Sequence, residues 1–167
     1  MGISILSKVI PLRFLSNPVH FLALGFGSGL SPYAPGTMGT LVAIPLYLMI
    51  SQLSLMVYLL VVVVGFVVGV YLCGQTSKAL GVHDHSGIVW DEIIGYWITM
   101  IAIPEVNWQW IIAGFVLFRI FDIAKPWPVK SADQNMRGGF GIMFDDVLAG
   151  IYALICLQVA NYFLGYL

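Results

Sequence analysis

From its apolar and polar positions, the chain reads as a series of long uncharged stretches closed by short polar breaks. A helix that crosses a bilayer needs about 20 mostly apolar residues at roughly 1.5 Å rise each. The clearest candidate is 55–73, which contains Val61-Val62-Val63-Val64 and is bounded by Ser51-Gln52 and by Gln75-Thr76-Ser77-Lys78. The stretch 39–53 is shorter and carries Pro45, which predicts a kink, with Gly36-Thr37 supplying free backbone N–H groups at its start. A third, 88–103, bears Asp91 and Glu92 near its beginning and is predicted to end at Pro104. A fourth, 108–123, has Arg119 and Asp122 in its last turns, and a fifth, 147–167, is uncharged with Asp145-Asp146 at its head. The piece 18–30 is too short to cross and contains Gly25, Gly27 and Gly29, the pattern of a re-entrant or interfacial helix running into a glycine loop; a sixth, thin span is the plainer alternative.

Composition points the same way. Sixty per cent of the 167 residues are hydrophobic and 9% charged, with a mean hydropathy of +0.95, and the 64 residues between Arg13 and Lys78 hold no Asp, Glu, Lys or Arg. A water-facing surface cannot be made from such a run. Disorder is excluded by the hydropathy, and a nucleic-acid partner by 7 basic against 8 acidic residues. Cys73 and Cys156 sit in apolar runs, where a thiol serves as a small hydrophobe. Lys8, Pro11 and Arg13 interrupt the N-terminus before a cleavable signal core can form, so the mature protein is expected to keep its first residues. The expectation is an all-α, polytopic membrane protein forming one domain over 1–167, with four to five spanning helices plus the short re-entrant or interfacial one.

Cytoplasmic loops hold the excess of Lys and Arg. With Lys8 and Arg13 inside and five crossings, Lys78, Lys125, Lys130 and Arg137 also fall inside, while the loops near Ser51 and Asn107 hold no basic residue. That topology gathers seven of the eight acidic residues, all but Glu105, at the same face. A charge at membrane depth costs roughly 2.5–3.5 kcal/mol on insertion scales, so Asp91, Glu92 and Asp122 require partners. For Asp133 and Lys130 a simple headgroup contact suffices. The pairs Asp91-Glu92 and Asp145-Asp146, meeting between helices, offer oxygen ligands that suit Mg²⁺ or Mn²⁺ better than Zn²⁺. His83 and His85, two apart in a loop, are weak zinc ligands and better suited to headgroup or supporting contacts. Arg119, Asp122 and Lys125 recur at three-residue intervals along one side of a helix, and an Arg fork with a Lys charge beside metal-binding carboxylates favours a phosphate ligand. An Arg119–Asp122 pair that only neutralises itself is the competing reading. The stretch from Gly25 to Gly39 ends at a helix start with Thr37, where N–H groups favour an anion, though it lacks a Walker ending. Gly138-Gly139-Phe140-Gly141 either lets backbone approach a ligand or packs helices closely.

Four blocks, GFGSGLSPYAPGTMGT (25–40), GVHDHSGIVWDEIIGYWIT (81–99), FRIFDIAKPWPV (118–129) and GGFGIMFDDVLAG (138–150), resemble the phosphatidylglycerophosphatase A family of Gram-negative bacteria, in order and over most of the chain. The resemblance implies a Mg²⁺-dependent phosphatase of the inner membrane, its site facing the cytoplasm, that converts phosphatidylglycerophosphate to phosphatidylglycerol. Neither an aspartyl-nucleophile motif nor a histidine-phosphatase motif is present. Both readings assign metal binding to Asp91, Glu92 and Asp146, with Asp84 and Asp122 as further ligands or orienting groups. Asp145 takes the metal or the attacking water, and Arg119 and Lys125, with Thr37 and His83, take the phosphate-bearing substrate. A small transporter or channel is the rival, but no charge lies mid-membrane in 39–53, 55–73 or 147–167 to mark a route across. A headgroup transferase would need a nucleotide-type donor site that the sequence does not display.

Overall fold

The computed structural model describes residues 10–164, and every regular element among them is helical. Two 3-10 segments, Leu12–Ser16 and Gly25–Leu30, flank a short helix α1 (Pro18–Ala23). The longer elements are α2 (Pro35–Ile50), α3 (Leu55–Leu80), α4 (Trp90–Thr99), α5 (Trp108–Ala124) and α7 (Gly138–Leu164), with a short α6 (Val129–Asn135) between the last two. The expected placement of Lys8, and residues 165–167 of the last apolar stretch, lie outside the described residues.

Two helices, α3 and α7, are long and apolar enough to cross a membrane. At 16 and 17 residues, α2 and α5 fall short of the usual length. The third apolar stretch behaves differently from its expectation. Helix α4 has only 10 residues, about 15 Å, and ends at Thr99 rather than at Pro104. All of its residues except Glu92 are buried, so it is a core helix wrapped by the others. Its early end is stabilised from outside: the Gln158 side-chain amide of α7 donates to the carbonyls of Ile101 and Ala102, supplying the partners that a continued helix would have given.

In so apolar a molecule each buried polar group needs a partner, and α4 finds them on every side. Trp90 Nε1 donates to Gly65 O of α3, Trp97 Nε1 to Ala43 O of α2, and the Tyr96 hydroxyl to Ile111 O of α5. Tyr58 of α3 donates back to Trp97 O at 2.6 Å. Helix α7 packs against α3, α4 and α5. Its first turns contain the glycine block 138–141, which is helix and not a loop. A Cβ on Gly139 would overlap the Val70 carbonyl of α3, so the glycines serve close packing here. Asp145 and Asp146 consequently lie about two turns inside α7 instead of at its head.

The end of α2, the start of α3, the end of α4 and the loop before α5 meet at a small cavity lined by Tyr47, Ser51, Leu55, Met100 and Val106. The start of α2, the loop after α3, the start of α4 and the end of α5 meet at the opposite end of the molecule. Consecutive long helices therefore alternate in direction, and the charged residues that line the second cavity collect at one end, while Glu105, beside Val106, is left at the other.

Candidate active site

Helices α4 and α7 both start at the charged end, so they run parallel. They touch through glycines: a Cβ on Gly150 would lie 2.5 Å from Gly95 O, and one on Gly95 would lie 2.9 Å from Asp146 O. Thr99 Oγ1 spans the same contact, reaching Gly95 O and, at 3.5 Å, Gly150 O. Residues four apart share a helix face. Asp91 precedes Gly95 by four and Asp146 precedes Gly150 by four, so close backbone contact one turn below brings these two carboxylates together. Glu92 follows on the next position of α4, and one oxygen from each of Asp91, Glu92 and Asp146 lies within 4.8 Å of the others.

Asp91 and Asp146 are buried, and Asp91 Oδ1, Glu92 Oε2 and Asp146 Oδ2 have no hydrogen-bond partner. Uncompensated buried carboxylates of this kind are strongly unfavourable unless a cation joins them. The fit for a hard divalent ion is good, because three oxygens converge at close to the spacing of ligands sharing one small cation. The surrounding cavity, about 270 Å³, is lined by Asp84, Asp91, Glu92, Asp122, Asp145 and Asp146 against two cations, Arg119 and Lys125. Eight of the ten residues singled out in the sequence thus face one space.

Arg119 stands on α5 with Nη1 2.6 Å from Asp122 Oδ2 and 3.9 Å from Glu92 Oε1. Its Nε is buried without a partner, so the Asp122 pair does not use up the guanidinium. The start of α2 lines the same cavity. Gly36 lies so close that a Cβ there would overlap Glu92 Oε1 and stand 3.2 Å from both Arg119 Nη atoms. Ala34, at φ 44, caps α2 without any side-chain bond, which leaves the first N–H groups of a 16-residue helix at the cavity.

Four placements differ from the sequence reading. Lys125 was expected to neutralise phosphate, but it closes α5 in a left-handed conformation and its ammonium binds Asp133 Oδ1 at 2.5 Å and Asp145 Oδ2 at 2.9 Å. Burial works against that charge, yet the two carboxylates outweigh it and hold the Lys125 pKa above the ordinary lysine value. The residue is a clamp between α6 and α7. His83 is outside the cavity: its Nε2 accepts the N–H of Gly138 at 2.9 Å and so caps the start of α7. Thr37 is likewise not part of the lining, and its neighbour Gly36 takes the place expected of it. Asp133, read as a plain headgroup contact, joins the site through Lys125. The link of Asp133 to the cavity was missed, whereas Gly36 is read from the sequence only as a source of free N–H groups; the twin spacing Asp91-x-x-x-Gly95 and Asp146-x-x-x-Gly150 was a legible signal for the carboxylate convergence.

The phosphatidylglycerophosphatase A family model matches residues 21–161, a span that contains the whole carboxylate cavity. The chain belongs to that family. It is 55% identical to phosphatidylglycerophosphatase A of Escherichia coli strain K12 over 152 residues, covering 91% of this chain and 86% of the relative. To the Haemophilus influenzae protein of the same name it is 48% identical over 157 residues, 92% and 96% of the two chains. A Bacteroides thetaiotaomicron protein with the provisional name phosphatidylinositol-3-phosphatase is 42% identical over 151 residues, 86% and 94% of the two chains. No solved structure matches the chain. The chain is accordingly a lipid phosphatase.

Proposed function

We propose that the protein removes the terminal phosphate of phosphatidylglycerophosphate to give phosphatidylglycerol, with Mg²⁺, at the cytoplasmic face of the bacterial inner membrane. The observation that carries this reading is the convergence of Asp91, Glu92 and Asp146 beside a buried Arg119 whose Nε lacks a partner. Two relatives bearing the phosphatidylglycerophosphatase A name, each matched along most of its length, support the substrate.

Asp91, Glu92 and Asp146 would hold Mg²⁺, which would supply Lewis acidity toward phosphoryl oxygens and toward an attacking water. Arg119 and the N-terminal amides of α2 stand beside Glu92 at the cavity and are placed to bind phosphoryl oxygens, with charge-assisted bonds that strengthen as negative charge develops. Lys125 holds one oxygen of Asp145 in place, so that carboxylate is positioned to orient the attacking water. Asp122 holds the Arg119 fork in place, and Asp84 closes the outer wall.

The alternating helices support a multi-pass arrangement in which α2, α4 and α5, too short to stand alone in lipid, pass through the bilayer as parts of one bundle. The charged end then falls on the side that also carries Lys78, Lys130 and Arg137. A transporter finds no support, since the far-end cavity is lined by no charged residue. The test is phosphate release by purified protein from phosphatidylglycerophosphate, with phosphatidic acid and phosphatidylinositol 3-phosphate beside it. Preference for the first supports the proposal, and preference for either of the others overturns its substrate.

A further inference from the structure

A second cavity of about 450 Å³ adjoins the acidic one of about 270 Å³, and the two share Pro35 and Ser86 as a common wall. Its chemistry differs. Among the described residues no acidic side chain lines it; Ser31, His85 and Ser86 supply polar groups, and Leu12, Leu30 and the prolines supply apolar surface. The floor is fixed by backbone contact, since a Cβ on Gly29 would overlap the Gly87 carbonyl, and His85 is oriented by accepting the Gly87 N–H on Nδ1 at 3.1 Å.

We propose that this cavity holds the leaving alcohol of the reaction, the glycerol and phosphodiester that join the scissile phosphate to diacylglycerol. The inference rests on the substrate reading above. Such a lipid carries a second phosphate that cannot share a space with six carboxylates, and it must leave the acidic cavity through an acid-free neighbour. Along the path from Arg119 past Ser86 to Ser31 and the exposed Leu12, the lining passes from charged to hydroxylated to apolar. A phospholipid monoester changes in the same order from its terminal phosphate through its glycerol to its acyl chains. The cavity therefore reads the headgroup between the two phosphates, a part that relatives acting on other lipids would not share.

Filling the space tests it. Ser31→Trp and Leu12→Trp, each checked for folding by thermal unfolding, are assayed with dioctanoyl phosphatidylglycerophosphate in mixed micelles, and inorganic phosphate serves as a competitive inhibitor that needs only the acidic cavity. The expected result is a KM raised at least tenfold in a folded variant while the phosphate Ki stays within twofold. A KM unchanged in both variants, or a Ki that rises in step with KM, overturns the assignment. Wild-type protein that cannot turn over this lipid refutes the substrate reading itself, and the subsite with it.

Discussion

At the scale of single residues, the proposed roles divide the charged cavity among cation ligands, a phosphate-binding arginine and a clamp, and each can be removed separately. Asp91→Asn and Asp146→Asn replace buried, crowded carboxyls that each leave one oxygen without a hydrogen-bond partner among the described residues, so each should raise the stability of the metal-free protein by about 1–2 kcal/mol while abolishing turnover. Thermal unfolding in EDTA checks the first effect and phosphate release the second. Arg119→Lys should already lower kcat/KM by at least tenfold, because a point charge cannot reproduce a planar fork, whereas Arg119→Ala should cost about 2–5 kcal/mol in transition-state binding. Metal affinity, measured by Mn²⁺ titration, should barely move in either variant. Lys125→Met leaves Asp133 and Asp145 facing each other. With Lys125 and Asp133 both about a third exposed, solvent screening limits the loss to about 1–3 kcal/mol. Because the Lys125 pKa is raised, the ammonium keeps its charge through the ordinary lysine value and loses it only as pH rises through the folded one. Unfolding measured from about pH 7.5 to 9 should therefore show no loss traceable to the lysine.

At the scale of elements, small residues set the distances on which the chemistry depends. Gly150→Ala would push its new methyl against the Gly95 carbonyl and wedge α7 from α4. The cost should be about 1–3 kcal/mol in stability, and Mn²⁺ affinity should fall at least tenfold, since Asp91 and Asp146 separate with their helices. Gly36→Ala should spare folding and lower activity by at least tenfold, because its methyl enters the space between Glu92 and Arg119. The apolar stretches were legible as helices because uncharged runs of that length have few other outcomes. The positions of their ends were less so. Helix α4 stops at Thr99 because Gln158, nearly 60 residues later, satisfies the exposed carbonyls, and no local pattern announces such a partner. The block 138–141 was ambiguous for a similar reason: glycine permits both a loop and a close helix crossing, and only the facing Val70 decides. Acidic and basic site residues were found by their expense in an apolar chain. Asp133 escaped because its only distinguishing feature is a lysine held near it by the fold.

At the scale of the whole molecule, alternating helices place every described site residue at one end, and the cavity at the far end, around Tyr47, Met100 and Val106, has no charged residue in its described lining. Reporter fusions at Lys130 and at Asn107 should therefore read opposite sides of the membrane, Lys130 cytoplasmic and Asn107 periplasmic; the same side for both would break the bundle topology. The central claim is that the buried carboxylates of α4 and α7 hold the divalent cation required for lipid dephosphorylation. The most direct test is phosphate release from phosphatidylglycerophosphate by purified protein stripped with EDTA and titrated with Mg²⁺, wild type beside Asp146→Asn. The account predicts no release in EDTA, full recovery with Mg²⁺ for the wild type, and either no recovery or a requirement for far more Mg²⁺ in the variant. Undiminished release in EDTA, or an identical Mg²⁺ curve for the two proteins, would contradict it.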